Sequence, residues 1–310
     1  MWFKNLHIYQ LSKSLSFSTE EFSDKLNDFR FKPCGKMSDK SIGWVSPIHR
    51  HRDYLIHVAS GCILFCMRKE QKMLPASAVK EALEEKVFEI EEEFSRKVYR
   101  KEKQSIKEDI IATMLPKVFP RSSHIHAYFD TKNNRLFINA SSAAQVDEFY
   151  ELLTNTIGSF GAMQLVAEEN PTSVMSQWIK TQPPENWQLS GEYLLKDPKD
   201  ERVARFKDQS VSDVGSENHF VNEFIDDGYV LQKLGIRYKS YFKALIQDEL
   251  QIKSIKFDDE LIKENDELNG EDELARFDAD FALMTDTLKD FTDDLIKIFN
   301  VNSAKNKHAD

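Results

Sequence analysis

Apolar residues recur along the chain with the periods of both strands and helices, and the two patterns alternate. Residues 61–68 are apolar nearly throughout, which predicts a strand buried on both faces. Residues 123–130 and 135–140 flank the pair Asn133-Asn134, which predicts a β-hairpin. Residues 141–159 follow with a helical period. The N-terminal half is therefore predicted to mix sheet and helix.

The longest helical pattern covers residues 77–114 and predicts one continuous helix. At about 1.5 Å of rise per residue such a helix is about 57 Å long, so we expect an arm that protrudes from the fold. Four cations recur on one face opposite the apolar stripe, at spacings of four, three and four residues: Arg96, Arg100, Lys103 and Lys107. The ordinary interpretation is a solvated face, in which Glu92 pairs with Arg96. The alternative is a ladder of cations for a polyanion.

The segment that follows the arm, Leu115-Pro-Lys-Val-Phe-Pro-Arg121, places an aromatic side chain between two cations. Pro116 and Pro120 stiffen its backbone. If Phe119 is exposed, it can stack on a base or pack against another subunit, with Lys117 and Arg121 as phosphate contacts. The alternative is that Phe119 packs into the core of its own chain.

Paired prolines at Pro183-Pro184 break the pattern, and further strands are predicted in residues 188–195, 228–242 and 251–257. The 310 residues suit two or three domains. We predict an α+β fold with these parts: an N-terminal α+β domain of residues 1–76 and 115–170, a long helical arm of residues 77–114 inserted in it, a C-terminal α+β domain of residues 171–301 with acidic helices, and a frayed tail of residues 302–310.

The charge of the chain is uneven along its length. The net charge of −10 argues against DNA as a partner, because affinity for phosphates comes largely from Lys and Arg. Residues 1–130, however, carry 22 Lys and Arg against 18 Asp and Glu, a net charge of +4, whereas residues 131–310 carry 20 against 34, a net charge of −14. Any basic binding site must therefore be a local surface on an otherwise acidic protein.

Catalytic and metal motifs are weak. Ten glycines form neither GxxxxGK[ST] nor GxGxxG, which argues against ATP hydrolysis and dinucleotide binding. The string at residues 49–53 (HRHRD) fits a polar loop better than a general base, and His124 and His126 lack a third metal ligand. Two alternatives stay open: a metal-dependent nuclease that uses Asp278 or Asp280, and an acidic scaffold that binds another protein.

The three cysteines form no CxxC pair, which suggests neither a disulfide framework nor a zinc ribbon and favours a reducing compartment. The first residues lack the pattern of a signal peptide, and no apolar run is long enough for a membrane span. We therefore expect a cytoplasmic, soluble protein without a cofactor or a metal.

Several segments, in order and at consistent spacing, carry a resemblance to a known family over nearly the whole chain: Trp2-Phe-Lys-Asn-Leu6, Phe31-Lys-Pro-Cys-Gly35, Gly43-Trp44-Val-Ser-Pro47, Arg68-Lys-Glu70 with Lys72-Met-Leu-Pro75, Leu115-Pro-Lys-Val-Phe119, and Arg276-Phe-Asp-Ala-Asp-Phe281 followed by Leu283-Met-Thr285. The chain resembles the RdgC family of recombination-associated proteins from bacteria. The resemblance implies a non-enzymatic, nucleoid-associated protein whose horseshoe-shaped subunits close into a ring-shaped homodimer around duplex DNA. It also implies regulation of recombination by limiting the access of the RecA recombinase to DNA.

The resemblance also assigns residues. Arg96, Arg100 and the later cations of the arm become candidates for the lining of the ring, and Phe119 becomes a candidate for the contact that closes it. Lys117 is expected beside Phe119, with Lys207 and Gln209 in the opposing segment. The chain departs from the family pattern at Asp208, where a second basic residue is typical, so this part of the closure is expected to be weaker.

Overall fold

The computed structural model describes residues 1–48, 53–207, 219–268 and 273–302. Its antiparallel strands alternate with helices, so the fold is α+β, as the sequence predicts. The strands, in chain order, are β1 (His7–Leu11), β2 (Lys40–Val45), β3 (Ile56–Ala59), β4 (Cys62–Gln71), β5 (Arg121–Asp130), β6 (Arg135–Ile138), β7 (Ala162–Gln164), β8 (Val166–Ala167), β9 (Trp187–Lys196), β10 (Val203–Phe206), β11 (Val230–Tyr238), β12 (Phe242–Gln247), β13 (Ile252–Phe257) and β14 (Val301–Asn302).

The helices are α1 (Thr19–Asp28), α2 (Ala76–Phe94), α3 (Arg100–Met114), α4 (Ala143–Ile157), α5 (Pro171–Lys180), α6 (His219–Asp226), α7 (Asp259–Leu268) and α8 (Glu273–Ile298), with a short 3-10 helix at Leu115–Lys117. Within the part of the chain that the structure describes, none of these helices combines the length and the apolar character needed to cross a membrane.

The chain forms two compact units. Unit 1 consists of Met1–Thr19, Ile56–Leu64 and His126–Asp310, and unit 2 of Glu20–Leu55 and Phe65–Ile125. The long strands β4 and β5 each supply residues to both units. The domain boundaries predicted from the sequence were placed by changes in pattern along the chain, whereas these units are defined by contacts in space. The predicted boundaries stay a prediction.

Unit 1 contains a five-stranded antiparallel sheet in the order β10-β9-β11-β12-β13, packed against α8. The ring of Phe291 on α8 lies 5.0 Å from that of Trp187 and 5.2 Å from those of Tyr238 and Phe242. All four side chains are buried, and burial of one large apolar side chain stabilises a fold by roughly 1.5–3 kcal/mol. The Tyr238 hydroxyl also donates a hydrogen bond of 2.8 Å to Asp294. This aromatic cluster fixes which face of the sheet is covered.

The predicted β-hairpin is confirmed in unit 1, where β5 and β6 pair antiparallel. The Asp130 carboxylate accepts hydrogen bonds from the backbone N–H groups of Lys132 and Asn133 at 3.0 and 3.1 Å. Asn134 adopts a φ of 53°, a left-handed conformation that Asn tolerates better than most residues. The turn chemistry of the sequence thus appears directly in the hydrogen bonds of the loop.

Two other predicted elements are confirmed. Strand β4 is buried from Cys62 to Met67, in agreement with its nearly continuous apolar run. The helix predicted from residue 141 is α4, and the Ser142 hydroxyl caps it by accepting from the backbone N–H of Gln145. Local sequence was sufficient for both elements.

Unit 2 has a smaller core, in which α1 packs against β2 and β4. The ring of Phe65 lies 5.2 Å from that of Phe22 and 5.5 Å from that of Trp44, and all three side chains are fully buried. Gly43, next to Trp44, has no room for a side chain: an added Cβ would lie 2.4 Å from the Cα of Phe31. This close approach explains why the position before Trp44 is a glycine.

The prediction of one continuous helix over residues 77–114 is wrong. The chain forms two helices, α2 and α3, which contact each other and are separated by residues 95–99. Ser95 ends α2 in the left-handed conformation, with φ of 49° and ψ of 36°. Val98 is buried, and its N–H donates to the Glu91 carboxylate at 2.9 Å. Tertiary packing therefore overrides the helical propensity of the segment.

We expect Ser95→Gly to stabilise the protein by about 0.5–1 kcal/mol, because glycine adopts the left-handed conformation without a steric cost. Ser95→Ala keeps the Cβ in this conformation and should change the free energy of unfolding by less than about 0.5 kcal/mol. Urea denaturation of the two variants measures both changes. A stabilised alanine variant and a destabilised glycine variant would contradict the break between α2 and α3.

Candidate nucleic-acid interface

Three of the four predicted arm cations lie on one exposed face of α3. Arg100, Lys103 and Lys107 are spaced three and four residues apart, and all three side chains are exposed. They span about 10 Å along the helix axis at 1.5 Å per residue. None of them forms an ion pair with another residue that the structure describes. This face therefore presents cations whose charge is not neutralised by any residue in the described parts of the chain.

Lys101, which the sequence analysis did not single out, adds a further cation to α3. Its side chain is exposed and has no ion-pair partner among the described residues. It lies about 100° around the helix from Arg100, so the spacing rule that selected the other cations excluded it. Lys101 could have been identified from the sequence by considering every cation of residues 100–107, and not only those that share one helical face.

Arg96 differs from the other arm cations, because it lies in the break between the helices. Its guanidinium group donates two hydrogen bonds to the Glu102 carboxylate, at 2.6 and 2.7 Å. The hydrogen bonds raise the pKa of Arg96 and lower that of Glu102. The expected pair with Glu92 and the shared helical face with Arg100 are both wrong, because α2 ends before Arg96 is reached. The role of Arg96 in DNA binding stays a prediction. Arg96 already has Glu102 as its partner within the chain.

The segment after α3 exposes its aromatic residue. Phe119 is 92% exposed, which contradicts the alternative in which it packs into its own core. Lys117 and Arg121 on either side are also exposed, and neither has an ion-pair partner in the described parts of the chain. An apolar side chain exposed to this degree between two cations is available to a ligand or to a second chain.

An ion pair between the partly exposed Arg68 and the buried Glu70 anchors the end of this segment. The Glu70 carboxylate accepts from the Arg68 guanidinium at 2.6 Å and from the backbone N–H of Cys34 at 3.0 Å. Arg68 also donates at 3.1 Å to the hydroxyl of Ser122, the residue that follows Arg121. The Cys34 N–H, with Arg68, lowers the pKa of Glu70. Arg68 and Glu70 belong to one of the segments that carry the family resemblance. No pattern in the neighbouring sequence, however, indicates that they position the exposed loop.

The other candidate residues are placed separately. Lys207 follows β10 with an exposed side chain. Gln209 lies outside the described residues, as do Asp208 and the histidines and arginines of residues 49–52. The predicted opposition between Lys207, Gln209 and Phe119 therefore stays a prediction.

The carboxylates considered for a nuclease are engaged in other contacts. The Asp278 carboxylate lies 2.9 Å from Nε2 of His57. The pKa of His57 is lowered, because the effect of burial is larger than the opposite effect of Asp278. Asp280 pairs with the N-terminal amine of Met1 at 3.3 Å. Within residues 1–48, 53–207, 219–268 and 273–302, no group of three or more His, Cys, Asp or Glu side chains is arranged to hold a metal ion.

Comparison with known proteins gives one consistent result. A family model described as "Putative exonuclease, RdgC" matches residues 1–302. Proteins named "Recombination-associated protein RdgC" are similar to the chain: that of Tolumonas auensis is 33% identical over 303 residues, covering 96% of this chain and 97% of the relative. That of Shewanella piezotolerans is 37% identical over 286 residues, covering 92% and 93%. That of Aeromonas hydrophila is 35% identical over 298 residues, covering 94% and 95%.

We expect Glu70→Ala to lower the free energy of unfolding by about 1–3 kcal/mol, because it leaves Arg68 without its carboxylate partner and the Cys34 N–H without its acceptor. The matched control is Glu84→Ala, which removes an exposed pair with Lys80 and should cost less than about 0.5 kcal/mol. Denaturant titration of both variants measures the difference. Equal effects in the two variants would show that the Glu70 network does not anchor the loop.

Proposed function

We propose a function that starts from one established premise: the chain belongs to the RdgC family. We infer that the protein binds duplex DNA without strong sequence preference, as a ring-shaped homodimer that encircles the duplex. Bound in this way, it limits the access of the RecA recombinase to DNA and so modulates recombination. The proposal includes no catalytic step, and it places the protein on the nucleoid.

The observation that carries the proposal is the exposed cation face of α3. A chain with a net charge of −10 would be expected to neutralise its surface cations with neighbouring acids, as Arg96 is by Glu102. Arg100, Lys103 and Lys107 instead have no such partner among the described residues. Phosphate groups supply the missing counter-charge, and release of their condensed cations drives binding. Contacts of this type position a protein on DNA without reading its bases.

The exposed Phe119 supports closure of the dimer. The Phe119 side chain is 92% exposed, so most of its apolar surface lies in water. A second chain that covers this surface gains the free energy of burying it. Pro116 and Pro120 limit the conformations of the loop, so less entropy is lost when the loop is fixed in a contact. These two properties favour a contact between chains at this position.

Restriction of RecA follows from occupancy. A ring around the duplex blocks the phosphate backbone over the length it covers, without a specific contact to the recombinase. Acidic outer surfaces would direct DNA to the basic interior by repelling it elsewhere. The name of the relatives, recombination-associated, agrees with a role of this kind.

A nuclease is the second candidate, because the description of the matching family model contains the word exonuclease. The test is incubation of end-labelled duplex with Mg²⁺ or Mn²⁺, with Asp278→Asn and Asp280→Asn as variants. Metal-dependent cleavage that both variants lose would favour a nuclease over the binding protein that we propose.

For DNA binding, we expect fluorescence anisotropy of a random-sequence duplex to give tight binding with a steep negative dependence on salt. Arg100→Glu should weaken binding several-fold and reduce the magnitude of the salt slope by about 1. Lys36→Glu, which reverses an exposed cation that is not part of α3, is the matched control. No binding of the unmodified protein at low salt would overturn the proposed function.

For ring closure, we expect Phe119→Ser to shift the monomer–dimer equilibrium towards monomer, or to open one contact of the dimer. Its free energy of unfolding should change by less than about 0.5 kcal/mol, because the side chain is exposed. Phe88→Ser is the matched control, since Phe88 is 63% exposed on α2. Sedimentation velocity measures association, and retention on circular against linear DNA measures closure. Identical behaviour of the two variants would remove Phe119 from the contact.

A further inference from the structure

The five-stranded sheet of unit 1 carries cations on the face opposite α8. Burial alternates along β12, and the residues of β11 and β13 that pair with Lys243, Leu245 and Gln247 lie on the same face of the sheet as these three. We call the cations of this second face the sheet cations: Lys233, Arg237, Lys243, Lys253 and Lys256. They lie within residues 131–310, where the net charge is −14.

The strand register places three sheet cations side by side. Arg237 of β11 is the register partner of Lys243 of β12, and Lys243 is the register partner of Lys256 of β13. Neighbouring strands lie about 4.8 Å apart, so the row is about 10 Å across. Each cation therefore has a like charge as its direct neighbour across the strands.

The remaining two sheet cations lie farther along the same strands. Leu245 pairs with Lys253, and Gln247 with Lys233, so both lysines project from the same face as the row. Burial and the charge of Lys233 together lower the pKa of Lys253, which agrees with their proximity. The Lys253 ammonium group lies 2.7 Å from Nε2 of His7 and donates to the backbone carbonyls of Ala140 and Ser141 at 3.3 Å, so Lys253 is less available to a ligand than the exposed Lys243 and Lys256.

The neighbouring carboxylates that form ion pairs in the described ranges neutralise one cation of the row, Arg237, and leave the other two. Asp258 pairs with Arg237 at 2.6 Å. Glu192 of β9 lies beside Gly235, since a Cβ added to that glycine would lie 2.8 Å from the Cβ of Glu192. Lys243 and Lys256 are exposed and form no ion pair with any residue in the described ranges. Lys243 and Lys256 thus have no counter-charge among the residues that the structure describes.

This arrangement does not stabilise the sheet. Like charges directly opposite each other across antiparallel strands are destabilising, whereas a Glu at position 243 would attract both of its neighbours. The aromatic cluster on the other face supplies the packing of this sheet and does not require lysines here. The row is therefore better explained by a ligand than by the fold.

We propose that the sheet cations form a second contact surface for the phosphate backbone of DNA, separate from α3. The inference rests on the proposed function and extends it from unit 2 to unit 1. Duplex DNA carries one charge per about 1.7 Å of axis, so a row about 10 Å across meets several phosphates. Lysine acts as a point charge on a flexible stem, which suits phosphates and does not discriminate between bases.

The test is the double variant Lys243→Glu/Lys256→Glu, measured by anisotropy on a random-sequence duplex over a salt series. We expect its affinity to fall at least about tenfold and the magnitude of its salt slope to fall by about 2. The matched control, Lys132→Glu/Lys297→Glu, makes the same change in net charge at two exposed lysines of unit 1 that lie outside the row. It should bind like the unmodified protein.

A second measurement separates binding from folding. Lys243→Glu alone should melt at the same temperature as the unmodified protein or higher, because it places a carboxylate between Arg237 and Lys256. Weaker binding by a variant that is at least as stable as the unmodified protein supports the sheet surface, and unchanged binding overturns it.

The outcomes also separate this inference from the proposed function. If the unmodified protein binds and Arg100→Glu weakens it, but the double sheet variant binds like its control, the sheet surface is overturned and the proposed function stands. If the sheet variant loses affinity while Arg100→Glu does not, the sheet surface stands and the α3 assignment fails. If the unmodified protein binds no duplex at low salt, both fail.

Discussion

Antiparallel strand pairing with one fixed register determines which side chains this protein buries and which it presents to solvent. In β11, β12 and β13 the register places Tyr238 and Phe242 against Phe291 of α8 and the intervening cations on the other face. A slip of one residue would exchange the two faces completely. The aromatic cluster therefore has two consequences, because the packing that stabilises the sheet also fixes the positions of its charges.

The same separation of packing and charge occurs in unit 2 by different means. The core of Phe22, Trp44 and Phe65 fixes the small domain, and the Arg68–Glu70 pair ties the start of β5 to it. The exposed loop with Phe119 ends at this anchored strand. A rigid support below an exposed aromatic residue reduces the entropy that a contact would otherwise lose.

Electrostatics explains how an acidic protein can have affinity for a polyanion. With a Debye length of about 10 Å at 0.1 M salt, a phosphate responds to nearby cations far more than to the net charge of the molecule. Cations held on a regular element, such as α3, add their effects because they face the same way. Where a carboxylate intervenes, as Glu102 does at Arg96, the local field is lost.

The sequence by itself determined the elements whose signals are local. The hairpin at Asn133-Asn134, the start of α4 near Ser142 and the spacing of Arg100, Lys103 and Lys107 all follow from residues a few positions apart. The family of the chain could likewise be recognised from short segments of sequence. In each case turn chemistry, capping or helical period is sufficient, because the interacting groups are neighbours in the chain.

Only the tertiary structure decided the features that depend on distant residues. The helical pattern continues through residues 95–99, and the break appears because Val98 is buried and α3 packs against α2. The exposure of Phe119 depends on what the rest of unit 2 leaves uncovered. The row of Arg237, Lys243 and Lys256 exists only after three strands have paired in register. Local propensity carries no information about such contacts, since their free energy arises between elements rather than within them.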